Sequence, residues 1–202
     1  MRPKTIPEKE LKDILEDLEK ADSISPQAYE SIIANFDVYP FDDYQKMYYT
    51  IGYNGEYDEM LEKIYDLTPL INPESLKELT NEGGDVCWYA TRVTNAFGFS
   101  LKDVMPDPAE ISTTDFNQLM KKVHRSKAKL SESIKKFFRD GKGEMTSKWK
   151  ARIFECLKDF FLQLQSLGYI YRIKLTDMMR LNVLKLGKRK LEKKLHGDGD
   201  KR

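Results

Sequence analysis

The sequence predicts an all-α protein, and three observations carry that expectation. Apolar residues recur at the three- and four-residue spacing of one helix face along most of the chain. Proline, glycine and asparagine punctuate those runs where helices must start or stop. Alternating β-branched and polar runs, the mark of half-buried strands, are nearly absent.

Pro7 ahead of EKELKDILEDLEKA opens the first helix, with Leu11, Ile14, Leu15 and Leu18 on one face. Ser25-Pro26 supplies a cap and a first-turn proline for a second, short helix in QAYESIIANF. Tyr39-Pro40 then breaks the chain. From Asp42, DDYQKMYYTIGYNGEYDEMLEKIYDL carries Tyr44, Met47, Tyr48, Ile51, Met60, Leu61 and Ile64 as its apolar positions at helical spacing. Asn72-Pro73 starts PESLKELTNEGGDVCWYATRVTNAF, which ends at Gly98, well placed as a C-terminal cap. A linker rich in Pro, Asp, Ser and Thr covers 101–115. Helical pattern resumes over 116–139 and stops at DGKG. MTSKWKARIFECLKDFFLQLQSL runs to Gly168, and LTDMMRLNVLKLGKRKLEKKL is the last helix before HGDGDKR. The expected division is a helical extension at 1–40, an acid-bearing hairpin at 41–105, and a linker with the start of the next helix at 106–124. A second, degenerate hairpin with the C-terminal helix follows at 125–193, and a disordered tail at 194–202.

Composition excludes several function classes. The chain has 202 residues, 40% hydrophobic and 33% charged, enough for a genuine core under a charged surface. Lys+Arg (34) and Asp+Glu (33) nearly cancel, so no whole-chain field favours nucleic acid or anionic membrane, which argues against nucleic-acid contact by the basic stretch 185–193 as the main task. Cys87 and Cys156 are too few for a disulfide framework or a zinc site and read as buried, reduced thiols of a cytoplasmic protein. No apolar run approaches a membrane span, and MRPKTIPEKE does not read as a signal peptide. His124 and His196 lack acidic or cysteine partners at suggestive spacing and read as structural or surface residues; Met178 and Met179 read as core filler.

An internal echo runs through the chain. An offset of 70 residues pairs Glu62 with Glu132, Ile64 with Ile134, Leu67 with Phe137, Glu74 with Glu144, Phe97 with Leu167 and Gly98 with Gly168. The corresponding expectation is two helical hairpins packed as an intramolecular four-helix bundle.

Glu56 and Glu59 in NGEYDEM, and Glu82 and Asp85 in NEGGDV, are each three apart, so each pair shares a helix face. Antiparallel packing of the two helices would gather all four. Clustered carboxylates repel unless a cation neutralises them, and a cage of hard oxygens suits Mg²⁺ or Mn²⁺. With 33 acidic residues, roughly five such pairs arise by chance, so spacing alone says little. Context separates these pairs from solvated faces: Glu82 and Asp85 lead into VCWYA, and Glu59 precedes MLEKI. Gly52, Gly55, Gly83 and Gly84 leave room for close approach of a helix, ion or ligand. At an offset of 70 the second hairpin offers Ser126, Lys129, Arg152 and Glu155, while a register shifted by four residues pairs Asp159 with Asp85 and Cys156 with Glu82. Neither register rebuilds the acidic set.

GEYDEMLEKI followed by NEGGDVCWYATRVTNAFGFSLKDVM resembles the MazG-like branch of the all-α nucleoside triphosphate pyrophosphohydrolases. That family carries a Glu-x-x-Glu pair, a spacer, and Glu-x-x-Asp running into an apolar helix. FDDYQ at 41–45 is similar to the family's N-terminal approach, and NVLKLGKR is similar to its closing motif through Asn182, Lys185, Leu186 and Arg189. The sequence departs from the pattern at Gly55, where the family often has a further Glu, and in the hairpin inserted before the closing motif.

The resemblance implies a MazG fold and hydrolysis of the α–β phosphoanhydride of a (d)NTP to the monophosphate and pyrophosphate. It implies Mg²⁺, with Mn²⁺ as an alternative, on Glu56, Glu59, Glu82 and Asp85, one of these acting as general base. Asn182, Lys185 and Arg189 would hold the phosphates or sugar. Trp88 and Tyr89 are either core or a stacking surface for a base. The family assembles its site across subunits, so a homodimer stays open, as does replacement of the partner by the second hairpin. The alternative function is a catalytically reduced helical module that binds nucleotide or a protein partner as a regulator.

Overall fold

The computed structural model describes residues 5–37, 44–67 and 72–195. The Tyr39-Pro40 break, residues 41–43 of FDDYQ, His196 and most of the expected tail lie outside the described residues. The described residues form eight helices and no strand, as the periodicity predicts. None of these helices is long and apolar enough to cross a membrane.

Local signals set most helix ends. Helix α1 (Glu8–Lys20) buries Leu11 and Leu15. Helix α2 (Pro26–Ile33) starts where the Ser25 hydroxyl accepts from the Ala28 N–H at 3.2 Å. Helices α3 (Gln45–Asp66) and α4 (Pro73–Ala96) form the first hairpin, and the Asn72 side chain caps α4 by accepting from Ser75 N–H at 2.9 Å. Gly98, at φ +80°, ends α4 in the left-handed conformation that glycine adopts without strain. The expected linker begins with one helical turn, α5 (Leu101–Val104), which buries Leu101 and Val104. Helices α6 (Phe116–Arg139) and α7 (Ser147–Ile170) form the second hairpin, capped by Asp115 and Thr146. Helix α8 (Leu175–Leu191) closes the described chain.

The two hairpins meet in an aromatic core. Tyr53 of α3 stacks edge-on against Phe160 of α7 with centroids 4.9 Å apart, and Tyr57 lies 6.4 Å from the same ring. Phe97, just past α4, meets Phe137 of α6 at 5.3 Å. Helix α8 lies along α4, and α1 and α2 cover its other side. Gly187 makes that cover possible, because a Cβ there would stand 2.6 Å from Leu15 Cδ2.

Two expectations about helix faces and ends change. Met60, Leu61 and Ile64 of α3 are in the core, but Tyr44, Met47 and Ile51 are exposed at 63%, 46% and 66%. Tyr49, Tyr53 and Tyr57 form a competing stripe four residues apart, and that stripe faces α4 and the second hairpin. Gly168 does not end α7. The helix continues to Ile170, and Arg172 takes the left-handed turn at φ +58°. Gly168 instead makes room for the returning chain, since a Cβ there would lie 2.4 Å from the Ile173 carbonyl oxygen. Helices α4 and α7 are both 24 residues long and begin at 73 and 147, so these two helices correspond in the shifted register rather than at 70, while α3 and α6 begin at 45 and 116. In that register Cys156 stands opposite Glu82 and Asp159 opposite Asp85.

Candidate metal centre

The acidic pairs face each other across the α3–α4 hairpin. Glu56, Glu59 and Glu82 each bring a carboxylate oxygen to within 4.8 Å of the other two. Glu82 is 6% exposed, Glu56 is partly buried and Glu59 lies at the rim. Bringing charges this close without a counter-ion is costly, and the cost is visible at Glu56. Burial, with the nearby charges of Asp85, Glu59 and Glu82, pushes its carboxyl up to about 8, against a smaller downward pull from Lys185.

Asp85 stands beside this trio but is held differently. Its carboxylate pairs with Lys185 of α8, and its Oδ1 accepts from the Asn182 amide at 2.8 Å. Asn182 is 1% exposed, and its own carbonyl accepts from the Tyr29 hydroxyl of α2 at 3.1 Å. A chain of hydrogen bonds therefore runs from α2 through α8 to Asp85 in the middle of α4. Arg189 lies one turn beyond Lys185 on α8 and is partly buried.

The glycines place α8. A Cβ at Gly83 would lie 2.7 Å from Met178 Sδ, and one at Gly84 would lie 2.9 Å from the Met178 carbonyl and 3.0 Å from Asn182 Cβ. Without side chains at 83 and 84, α8 comes close enough for Asn182 and Lys185 to reach Asp85. Gly52 does the same between α3 and α4, where its missing Cβ leaves space for the Tyr89 ring. Gly55 has open space around it.

Aromatic rings pack beside the carboxylates on the same hairpin. The rings of Tyr48 and Tyr89 lie 6.3 Å apart, and Tyr89 packs edge-on against Trp88 at 4.7 Å. Burial and the adjoining Tyr48 raise the Tyr89 phenol, with smaller contributions from Glu56 and Asp85. Trp88 is buried, while Tyr89 is partly exposed.

Other candidates fall away from the cluster. His124 is exposed on α6, with its ring nitrogens 3.5 and 3.3 Å from the hydroxyls of Tyr57 and Tyr65. Cys87 and Cys156 are buried free thiols, and Met178 and Met179 are core residues. In the second hairpin, Cys156 lies 3.4 Å from the Ser133 hydroxyl, which accepts from Arg152 Nε at 3.1 Å. Tyr29 is the positioning residue that sequence reading did not single out. It lies 153 residues from Asn182 along the chain, and no local pattern announces such a contact.

Three carboxylates at this spacing are a hard, anionic oxygen set, which suits Mg²⁺ or Mn²⁺ better than a thiophilic ion. The chain matches no protein-family model, no curated protein and no solved structure.

Proposed function

We propose that the protein is a Mg²⁺-dependent nucleotide pyrophosphohydrolase with a MazG-like helical bundle, cleaving a (d)NTP to the monophosphate and pyrophosphate. The observation that carries this reading is the convergence of Glu56, Glu59 and Glu82, whose carboxylate oxygens lie within 4.8 Å of one another, beside the rings of Tyr48 and Tyr89. Glu56, Glu59 and Glu82 would hold the divalent ion, and Mn²⁺ would replace Mg²⁺. Such an ion offsets charge on phosphate oxygens and lowers the pKa of an attacking water.

The chain's own residues supply the rest. The α–β anhydride breaks as a water oxygen bonds to phosphorus, pyrophosphate departs, and the water proton passes to a carboxylate. A carboxylate of the acidic set that is not fully engaged with the ion would accept that proton. Lys185 and Arg189 would take phosphate oxygens, and Tyr89 and Tyr48 would border the base.

Incubation with a full nucleotide panel in Mg²⁺ or Mn²⁺, with product identification, tests the reading. Monophosphate and pyrophosphate are expected, with turnover abolished in Glu59→Gln and Asp85→Asn. No turnover across the panel would defeat it. The Lys185–Asp85 pair favours a second reading, a module that binds nucleotide without cleaving it. Nucleotide-dependent thermal stabilisation without product would select that alternative.

A further inference from the structure

Asp85 and Lys185 came from different halves of the expected site, one as a metal ligand and one as a phosphate contact, yet in the fold they hold each other. Their side chains are 17% and 16% exposed, so water screens the pair only in part. The three glutamates share one point of convergence, and Asp85 is not among the groups that reach it. Asn182 is fixed from both sides, by Tyr29 and by Asp85, and has neither charge nor reach. Lys185 has both: a compact ammonium on a flexible four-carbon stem.

Charge balance gives the pair a use. Among these five side chains four carboxyls share one ammonium, so positive charge is scarce before any ion enters. An incoming triphosphate adds several more negative charges and competes with Asp85 for the same ammonium. We propose that Lys185 is a displaceable internal cation. Before nucleotide binds it engages Asp85 beside the glutamate trio rather than within it, and when a triphosphate arrives it passes to a phosphate oxygen and frees Asp85 to join the ligands of the divalent ion. Lys185 is thus a positioning residue that couples metal occupancy to substrate arrival, and this role rests on the pyrophosphohydrolase reading above.

Mn²⁺ binding to the full-length chain without nucleotide, followed by loss of the free-ion paramagnetic resonance signal, tests the first half. Lys185→Met is expected to bind Mn²⁺ about tenfold more tightly than the unaltered chain, within the usual range of coupling between sites. That gain should vanish in the Lys185→Met/Asp85→Asn double variant. Asp85→Asn alone should change affinity less than about twofold, and Lys185→Arg, which keeps the charge, should behave as the unaltered chain. Inorganic tripolyphosphate in EDTA tests the second half by calorimetry. It should bind the unaltered chain and lose at least about tenfold in affinity to Lys185→Met.

Mn²⁺ binding that depends on Glu82 but is no tighter in Lys185→Met overturns the proposal and leaves the pyrophosphohydrolase reading standing. So does tripolyphosphate binding indifferent to Lys185. Mn²⁺ affinity unchanged in Glu82→Gln removes the metal centre itself, and both readings with it. Circular dichroism of each variant separates these outcomes from misfolding, and Lys185→Gln repeats the test if Lys185→Met does not fold.

Discussion

A side-chain carbon at Gly84 would stand 2.9 Å from the Met178 carbonyl oxygen, so α4 and α8 touch backbone to backbone at the middle of α4, between Glu82 and Asp85. The neighbouring Gly83 meets only the Met178 thioether, at 2.7 Å. Gly84→Ala is therefore expected to cost about 1–3 kcal/mol through overpacking, despite the roughly 1 kcal/mol that alanine gains over glycine inside a helix. Gly83→Ala asks a flexible side chain to move and should cost less, or stabilise slightly. Urea unfolding of the two variants checks the contrast, and equal losses would contradict it.

Tyr29 and Asn182 make a second prediction. Tyr29→Phe leaves the buried Asn182 carbonyl without its donor and should destabilise by about 1 kcal/mol. Because Asn182 in turn donates to Asp85, the same substitution should also weaken the hold on that carboxylate. Turnover in Tyr29→Phe is expected to fall even at temperatures where the variant is fully folded. A stability loss with unchanged kinetics would show that the chain of hydrogen bonds is structural only.

Glu56 predicts a pH dependence. Its carboxyl rises from an ordinary value of 4.5 to about 8 on folding, because burial and the neighbouring carboxylates disfavour its charge. Between those values the unfolded chain has released the proton while the folded chain keeps it. Stability without metal should therefore be highest below about pH 4.5 and fall as pH rises toward 8, as far as this group is concerned. Glu56→Gln should flatten that fall, and saturating Mg²⁺ should reverse it by favouring the ionised form. Thermal unfolding across pH 5–8, with Mg²⁺ or with EDTA, reads all three.

The two faces of α3 should respond differently to substitution. Ile51→Lys changes an exposed residue and should shift stability by less than about 0.5 kcal/mol. Tyr53→Ala empties a fully buried position against Phe160 and should cost about 3 kcal/mol or more. Similar losses at both would mean that the outer face is covered in solution.

The helical architecture was legible because its signals are local. The span 116–139 was marked by apolar spacing and the DGKG stop, and α6 occupies those residues. Gly98 could be read as a cap because a left-handed turn there needs no information from elsewhere in the chain. Gly168 was misleading for the opposite reason: its lack of a side chain serves a contact with Ile173, which the local sequence does not show. In α3 both faces are apolar near the N-terminal end, so periodicity could not say which one turns inward. The glutamates were easy to bring together on paper, since one hairpin carries them all. That Asp85 would pair with Lys185, a hundred residues later, depends on how α8 lies against α4.

The amino-acid order by itself determined the helices, most of their ends and the placing of Glu56, Glu59 and Glu82 on one hairpin, since spacing, proline, glycine and side-chain caps act within a few residues of one another. Only the tertiary structure decided which stripe of α3 is core, what the paired glycines are for and which cation Asp85 meets. Those outcomes depend on contacts between distant segments, where many apolar arrangements compete and the close approach of two backbones selects one.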